Sequence, residues 1–243
     1  MRNQKPKIII PIVAITKEQI INQAKTISKT KHDIIEWRAD HYNDIQNIEQ
    51  TTQTLTQLKT ILTKPILFTL RTAKEGGQKQ ISNENYKNLY KKIIETKQID
   101  LIDIEIYTDD NIVTELINTA HKNKIQVIAS SHNFNETPQK EEIIKTLIKM
   151  DNLNADILKI AVMPNTKTDV LELLQATDIM TQKTQKPLIT ISMGKIGMIT
   201  RLCGQIFGSY ATFASVEKSS APGQIDVEEL EIVLDIINRN LNT

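Results

Sequence analysis

Short β-branched runs alternate with longer amphipathic segments along the whole 243-residue chain, and no other feature constrains its fold as strongly. Parallel strands must be joined by long crossovers, and an amphipathic helix is the usual one. The sequence predicts strands at Lys7–Ala14, Asp33–Trp37, Ile66–Leu70, Leu101–Ile106, Gln126–Ser130, Ile157–Ala161, Leu188–Ser192 and Thr212–Val216. Helices are predicted at Lys17–Ser28, Ile48–Leu62, Asn85–Thr96, Asn111–Lys122, Gln139–Met150, Thr168–Thr181, Lys195–Phe207 and Val227–Asn238. Thr137-Pro138 marks the start of the fifth helix, and Asp226 with Glu229 the start of the last. Eight βα units of this length fit an α/β fold closed as a (β/α)8 TIM barrel, a single domain over residues 1–243. An open doubly wound sheet fits less well, because no G-x-G-x-x-G pattern follows the first strand.

Composition narrows the function classes. A hydrophobic fraction of 40% with 24% charged residues supports a filled core. The net charge of +1, with no long run of one sign, argues against a nucleic-acid partner. The apolar run Ile8 to Ile15 is short and broken by Pro11, so it reads as a strand rather than a secretory leader. No stretch approaches the ~20 apolar residues that span a bilayer. Cys203 is the one cysteine, which excludes an intrachain disulfide and offers no metal cluster. A cytoplasmic protein without membrane or nucleic-acid partners is expected.

Basic residues are 25 Lys against 5 Arg, so arginine marks the places where a planar fork is needed. With Arg2 and Arg239 near the ends, Arg38, Arg71 and Arg201 are the candidates to grip a carboxylate. The glycines are confined to Gly76-Gly77 and to five positions between Gly194 and Gly223, where special backbone geometry or mobile loops are expected.

Barrel active sites lie at the carboxyl ends of the strands. There the sequence places Glu36, Arg38, Arg71, Asp103, Glu105, His132 and Lys159, followed by Arg201, Ser220 and Gln224 after the last two strands. Lys159 interrupts the apolar run Ile157-Leu158-Lys159-Ile160-Ala161-Val162. A charge inside a strand buried on both faces needs a reason. Desolvation and nearby cations would favour the neutral amine that attacks a ketone. The same spacing also fits a lysine reaching water from a strand end.

His132 follows the fifth strand in Ser131-His132-Asn133-Phe134, and imidazole suits a group that takes a proton and returns it near neutral pH. A merely hydrogen-bonded histidine is the alternative, and it is the role expected for His32, His41 and His121. Glu36 and Arg38, two apart on a strand, share the face toward the barrel mouth, as substrate ligands or as a structural ion pair. Trp37 then faces the helices. Asp103 and Glu105 share a face by the same rule and are expected to give supporting hydrogen bonds. A metal site built on them lacks any recognisable ligand cluster. Arg71 through Gly77 is polar and glycine-containing, suited to move as a lid. Ser219 through Gln224 offers a hydroxyl and an amide, or simply a turn. Cys203 reads as a small buried residue of an amphipathic helix.

Taken in order, several stretches resemble the type I 3-dehydroquinate dehydratases of the shikimate pathway. They are Glu36-Trp37-Arg38, Phe68-Thr69-Leu70-Arg71 through Gly77, Ser131-His132-Asn133-Phe134, and Leu158-Lys159-Ile160-Ala161-Val162-Met163-Pro164. Ile191-Ser192-Met193-Gly194-Lys195 with Arg201, and Ser220-Ala221-Pro222-Gly223-Gln224, complete the set. Each motif is weak alone, but the ordered set is specific and covers nearly the whole chain.

The resemblance implies a (β/α)8 barrel, usually a homodimer, that uses no metal or organic cofactor. It would dehydrate 3-dehydroquinate to 3-dehydroshikimate by syn elimination, the third step toward chorismate and the aromatic amino acids. It implies that Lys159 forms an imine with the ketone, that His132 moves the proton and that Glu75 orients His132. It assigns the substrate carboxylate to Arg201, and ring hydroxyls or pocket organisation to Glu36, Arg38, Arg71, Ser220 and Gln224. Pro11 stands where some members carry serine, which removes one expected contact from the first strand. A class I aldolase would share the buried lysine, yet no glycine-rich phosphate cradle follows the last strands.

Overall fold

The structure, a computed structural model, describes residues 4–216 and 220–242; Ser219 of the polar loop lies outside them. In chain order the elements are β1 (Lys7–Ile12), α1 (Lys17–Ile27), β2 (Ile34–Arg38), α2 (Ile48–Ile61), β3 (Ile66–Thr69), α3 (Asn83–Glu95), β4 (Leu101–Glu105) and α4 (Asp110–Lys122). They continue with β5 (Gln126–Asn133), α5 (Lys140–Asn152), β6 (Ile157–Val162), α6 (Lys167–Lys183), β7 (Leu188–Ser192), α7 (Gly194–Gly197), α8 (Ile199–Leu202), α9 (Gly204–Phe207), β8 (Ala211–Ser215), β9 (Ile225–Asp226) and α10 (Val227–Leu241). All paired strands run parallel, in the order β7-β6-β5-β4-β3-β2-β1-β8-β9. Closure between β7 and β8 rests on an isolated bridge, Leu188 to Ser209, with Tyr210 N donating to Leu188 O at 2.7 Å. The fold is the TIM-barrel type expected from the alternation of strands and helices.

Strand alternation sorts the side chains into two cores. Ile9, Ile34, Leu67, Leu101, Ile128, Ile157, Ile189 and Ala211 fill the lower barrel interior. Intervening residues such as Ile35, Trp37, Phe68, Ile102 and Leu158 pack outward against the helices. One period of two above the apolar floor, the inward positions become Glu36, Thr69, Asp103, Ser130 and Lys159. The apolar layer beneath these polar groups keeps water out from below.

Local signals place the helix starts. Thr16 and Gln19 form a reciprocal capping box on α1, as do Thr166 and Asp169 on α6. Asp226 caps α10 by accepting from Glu228 N. Thr137 does not cap α5; its hydroxyl donates to Met163 O at 3.0 Å, tying two loops together. Among the described residues no helix is long and apolar enough to cross a membrane.

Two expectations change. The helix predicted over Lys195–Phe207 is three short turns, α7 to α9. A Cβ on Gly197 would lie 2.3 Å from Ser192 O, and Gly208 ends the run at φ +93°, so the chain hugs the barrel rim instead of running straight. Strand β5 extends through Asn133, which puts His132 in register with Ala161 of β6 rather than in a loop.

Tyr90 links this outer packing to the inner face. Its ring meets Phe68 edge-on at 5.7 Å, while its hydroxyl accepts from Leu70 N at 3.2 Å and donates to Asp103 O at 2.8 Å. Tyr90→Phe leaves both buried backbone groups without that partner. Urea unfolding should show a loss of about 1–3 kcal/mol, and an unchanged midpoint would contradict this.

Candidate active site

At the barrel mouth one guanidinium organises the charges. Arg71, 3% exposed, donates from Nη1 to Glu105 Oε1 at 2.9 Å and Ser130 Oγ at 3.0 Å, and from Nη2 to Asp103 Oδ1 at 2.9 Å. Glu105 in turn accepts from Thr72 N at 2.8 Å and Thr72 Oγ1 at 2.7 Å. Burial alone would push Asp103 up, but Arg71 and then Lys159 hold its carboxyl down at about 2. Asp103 and Glu105 are thus engaged by an arginine fork, the supporting role expected from sequence.

Lys159 is 4% exposed, so it does not reach bulk water. Its Nζ donates to Asp103 Oδ2 at 2.9 Å, lies 3.8 Å from Glu36 Oε1 and sits over the Phe213 ring, 4.8 Å from the centroid. Arg38, Arg71 and Arg201 line the same cavity as this amine. Its nearest charges are carboxylates, because β4 and β2 carry their acids at the level where β6 carries its lysine.

His132 Nδ1 lies 2.9 Å from Glu75 Oε2, and the same oxygen accepts from His132 N at 3.1 Å. That pairing leaves Nε2 for an occupant of the cavity. Burial, then Arg71, Lys159 and Arg38, hold the imidazole well below its ordinary value, so it is uncharged at neutral pH. Burial and then Glu105 push Glu75 well above the usual carboxylate range. The low-dielectric wall disfavours the charged form of both groups.

The segment predicted to move as a lid is anchored at several points, while Ala73, Lys74, Gly76 and Gln78 stay exposed. Asp40, fully buried, grips Arg38 with both oxygens at 2.8 and 2.9 Å. It also accepts from Gln78 N at 3.1 Å and Arg71 N at 3.4 Å. A Cβ on Gly77 would lie 1.9 Å from Arg71 O, and one on Gly76, at φ +81°, would lie 2.4 Å from the Phe134 ring. Both glycines allow a close approach that a Cβ would block.

Arg201 is 1% exposed and, among the described residues, has one bond, from Nη2 to Pro222 O at 3.0 Å, with Nε and Nη1 buried and unpartnered there. Burial lowers it to about 10, so it remains a cation. Two buried unpaired N–H groups each cost about 1–3 kcal/mol and make this fork a receptor for an anion. Nearby, Ser220 N donates to Gln224 Oε1 at 2.8 Å and Gln224 Nε2 to Ser220 Oγ at 3.0 Å, so the two present one polar edge.

Glu36, Arg38, Arg71, His132, Lys159, Arg201, Ser220 and Gln224 all line one cavity, walled on its apolar side by Phe134, Ile191, Met193 and Phe213. Glu75 stands behind His132, toward a wider cleft of about 910 Å³. The amine, the imidazole and the unsatisfied fork all line the narrower cavity. Pro11 does not line it. Sequence reasoning missed Asp40, although its spacing of two from Arg38 was visible; a 3-10 turn at Ala39–His41, not strand alternation, brings it back to the guanidinium. It also missed Phe213, which had no polar signal.

Comparison with known proteins matches residues 8–241 to the family described as type I 3-dehydroquinase. The 3-dehydroquinate dehydratase of Clostridioides difficile is 45% identical over 240 residues, 98% of this chain and 94% of its own. That of Listeria monocytogenes is 44% identical over 235 residues, 96% and 93% of the two chains. The crystal structure of the Clostridium difficile enzyme with covalently modified comenic acid superposes with a TM-score of 0.94 at 44% identity, covering 97% of this chain and 94% of that one. The Geobacillus kaustophilus enzyme gives 0.95 at 35% identity, covering 97% and 92%.

The raised value of Glu75 fixes a pH dependence. The folded chain retains a proton that the unfolded chain releases above the ordinary value of 4.5, so this group withdraws stability as pH rises from there toward its folded value. Glu75→Gln carries no such proton. Urea unfolding from about pH 4.5 to 7 should show the variant gaining on the wild type with rising pH, and a constant difference would contradict the assignment.

Proposed function

The chain belongs to the type I 3-dehydroquinase family of hydro-lyases, and on that premise we propose that it dehydrates 3-dehydroquinate to 3-dehydroshikimate through an imine on Lys159. The observation that carries this reading is the cavity itself: a buried primary amine, an uncharged imidazole and a guanidinium with unsatisfied donors face one space.

Each group has a role that its environment suits. Arg201 takes the substrate carboxylate, which satisfies its free N–H groups. Ser220, Gln224, Glu36 and Arg38 meet ring hydroxyls, while Arg71, spent on Asp103, Glu105 and Ser130, organises the pocket. The Lys159 amine adds to the ketone and water leaves, giving a protonated imine that acts as an electron sink. His132, steered through Nδ1 by Glu75, removes the neighbouring proton at Nε2. The cations that make His132 a weak base make its conjugate acid a ready donor, so it returns the proton to the hydroxyl departing on the same side. Hydrolysis of the imine frees the product. The reading includes one catalytic barrel per chain and a cytoplasmic homodimer, with no metal or organic cofactor.

Incubation with 3-dehydroquinate should produce ultraviolet absorbance from the conjugated product, and a flat trace from folded protein would sink the reading. Borohydride added during turnover should fix substrate mass on Lys159. In His132→Ala the trapped adduct should persist while turnover falls about 10²- to 10⁴-fold; undiminished turnover would exclude His132. Arg201→Lys keeps a charge but not the fork, so KM should rise about tenfold to a hundredfold with trapping retained at saturation.

A further inference from the structure

Three directions are open to the three hydrogens of the Lys159 ammonium: Asp103 Oδ2 at 2.9 Å, Glu36 Oε1 at 3.8 Å, and the face of Phe213 with its centroid at 4.8 Å. Imine formation reduces the choice. R–NH3+ and O=C give R–NH+=C and one water, so two nitrogen-bound hydrogens leave with the ketone oxygen and one stays. That remaining N–H lies in the plane of the C=N unit and has one acceptor.

Glu36 Oε1 is farther away and already accepts from Thr69 Oγ1 at 2.9 Å. Asp103 divides its oxygens differently. Oδ1 accepts from Arg71 at 2.9 Å and Ser130 at 2.5 Å, leaving Oδ2 to Lys159. The carboxylate is buried and held in place from its own backbone, whose carbonyl accepts from Tyr90.

We propose that Asp103 is the fixed counter-ion of the imine nitrogen, keeping the Lys159–substrate imine protonated and so setting the upper pH limit of turnover. The inference rests on the Lys159 imine proposed above. Labour is divided: His132 moves a proton, and Asp103 holds one still. When His132 takes the α-hydrogen as H+, the C–H electron pair becomes the new C=C bond and the C=N pair moves onto nitrogen, leaving a neutral enamine N–H. When the C–O bond breaks, its pair leaves with the oxygen, which takes the proton from His132 as water; the enamine C=C pair moves to the carbon that carried the hydroxyl, and the nitrogen pair restores C=N, so N–H+ forms again. Both charged stages lie beside the same carboxylate. With Arg71 and Lys159 holding its value near 2, Asp103 stays an anion instead of taking the proton itself.

Other charged or titratable groups facing this pair are Glu36 and Arg38 from β2, Arg71 and Glu75 from the segment after β3, Glu105 on β4, His132 on β5, and Arg201 from α8. Glu105 is taken up by Arg71 and Thr72, and Glu75 by His132. That leaves Glu36 as the competing carboxylate.

The test follows the alkaline limb of turnover and of cyanoborohydride trapping, which reduces protonated imines, by peptide mass at Lys159 across pH. With 3-dehydroquinate, D103N should move both limbs down by about one pH unit or more, whatever its maximal rate. D103E keeps the charge and should restore the limbs, and Glu36→Gln should leave them in place. A D103N variant that loses rate equally at every pH would show a structural role only and overturn the proposal. Should D103N melt below the assay temperature, a displaced limb in Glu36→Gln would equally overturn it, and an unmoved one would support it. Absence of any wild-type adduct on Lys159 would sink the imine reading itself, which is a separate outcome.

Discussion

The mouth of this barrel depends on the buried fork of Arg71. Charges at that depth are costly unless paired and hydrogen-bonded, and removing one partner of a buried pair typically costs 3–5 kcal/mol. Arg71 joins the ends of three elements at once, meeting Asp103 and Glu105 of β4 and Ser130 of β5 from the end of β3. Through Asp103 it fixes the direction of Lys159, and through Glu105 it fixes Thr72 and the wall that carries Glu75. No lysine could replace it, since a single ammonium cannot hold two carboxylates and a hydroxyl in one plane.

Against this background the cations of the site fall into two kinds. Arg38 and Arg71 are neutralised by protein carboxylates before any ligand arrives. Arg201 is not, and its buried unsatisfied donors make an anion the natural occupant at that end of the cavity. The same cavity holds the amine and the imidazole. A ligand carrying both a carboxylate and a ketone would engage the fork and the amine together, as the proposed substrate does. Burial disfavours the charged forms of His132 and Glu75, which limits the charge the wall between them sets against that binding.

The segment predicted as a lid is tied to its neighbours at several points. The segment from Arg71 to Gln78 is pinned by Asp40 and Glu105, and its two glycines let backbone and the Phe134 ring approach closer than any Cβ would permit. Glu75, held on this segment, keeps its bond to His132 without drawing on ligand-binding energy.

Much of this was legible in the sequence because it is local. Alternation with a period of two says which residues share a face, so Glu36 with Arg38 and Asp103 with Glu105 could be placed inward from the residues alone, and the ordered motifs identified the eight site residues that line the cavity. Partnership was not legible. Which carboxylate lies beside Lys159 depends on the register between β4, β5 and β6, 56 positions apart along the chain for Asp103 and Lys159. Nothing in a strand's own pattern records the height of its neighbours. The same reason hid the grip of Asp40 on Arg38 and Gln78, the break of the predicted seventh helix into three turns over the rim, and the unsatisfied donors of Arg201. The sequence determined the barrel and the inventory of reactive groups, since these follow from local periodicity and residue type. Tertiary structure decided which charges meet, because burial and register exist only once the strands are assembled.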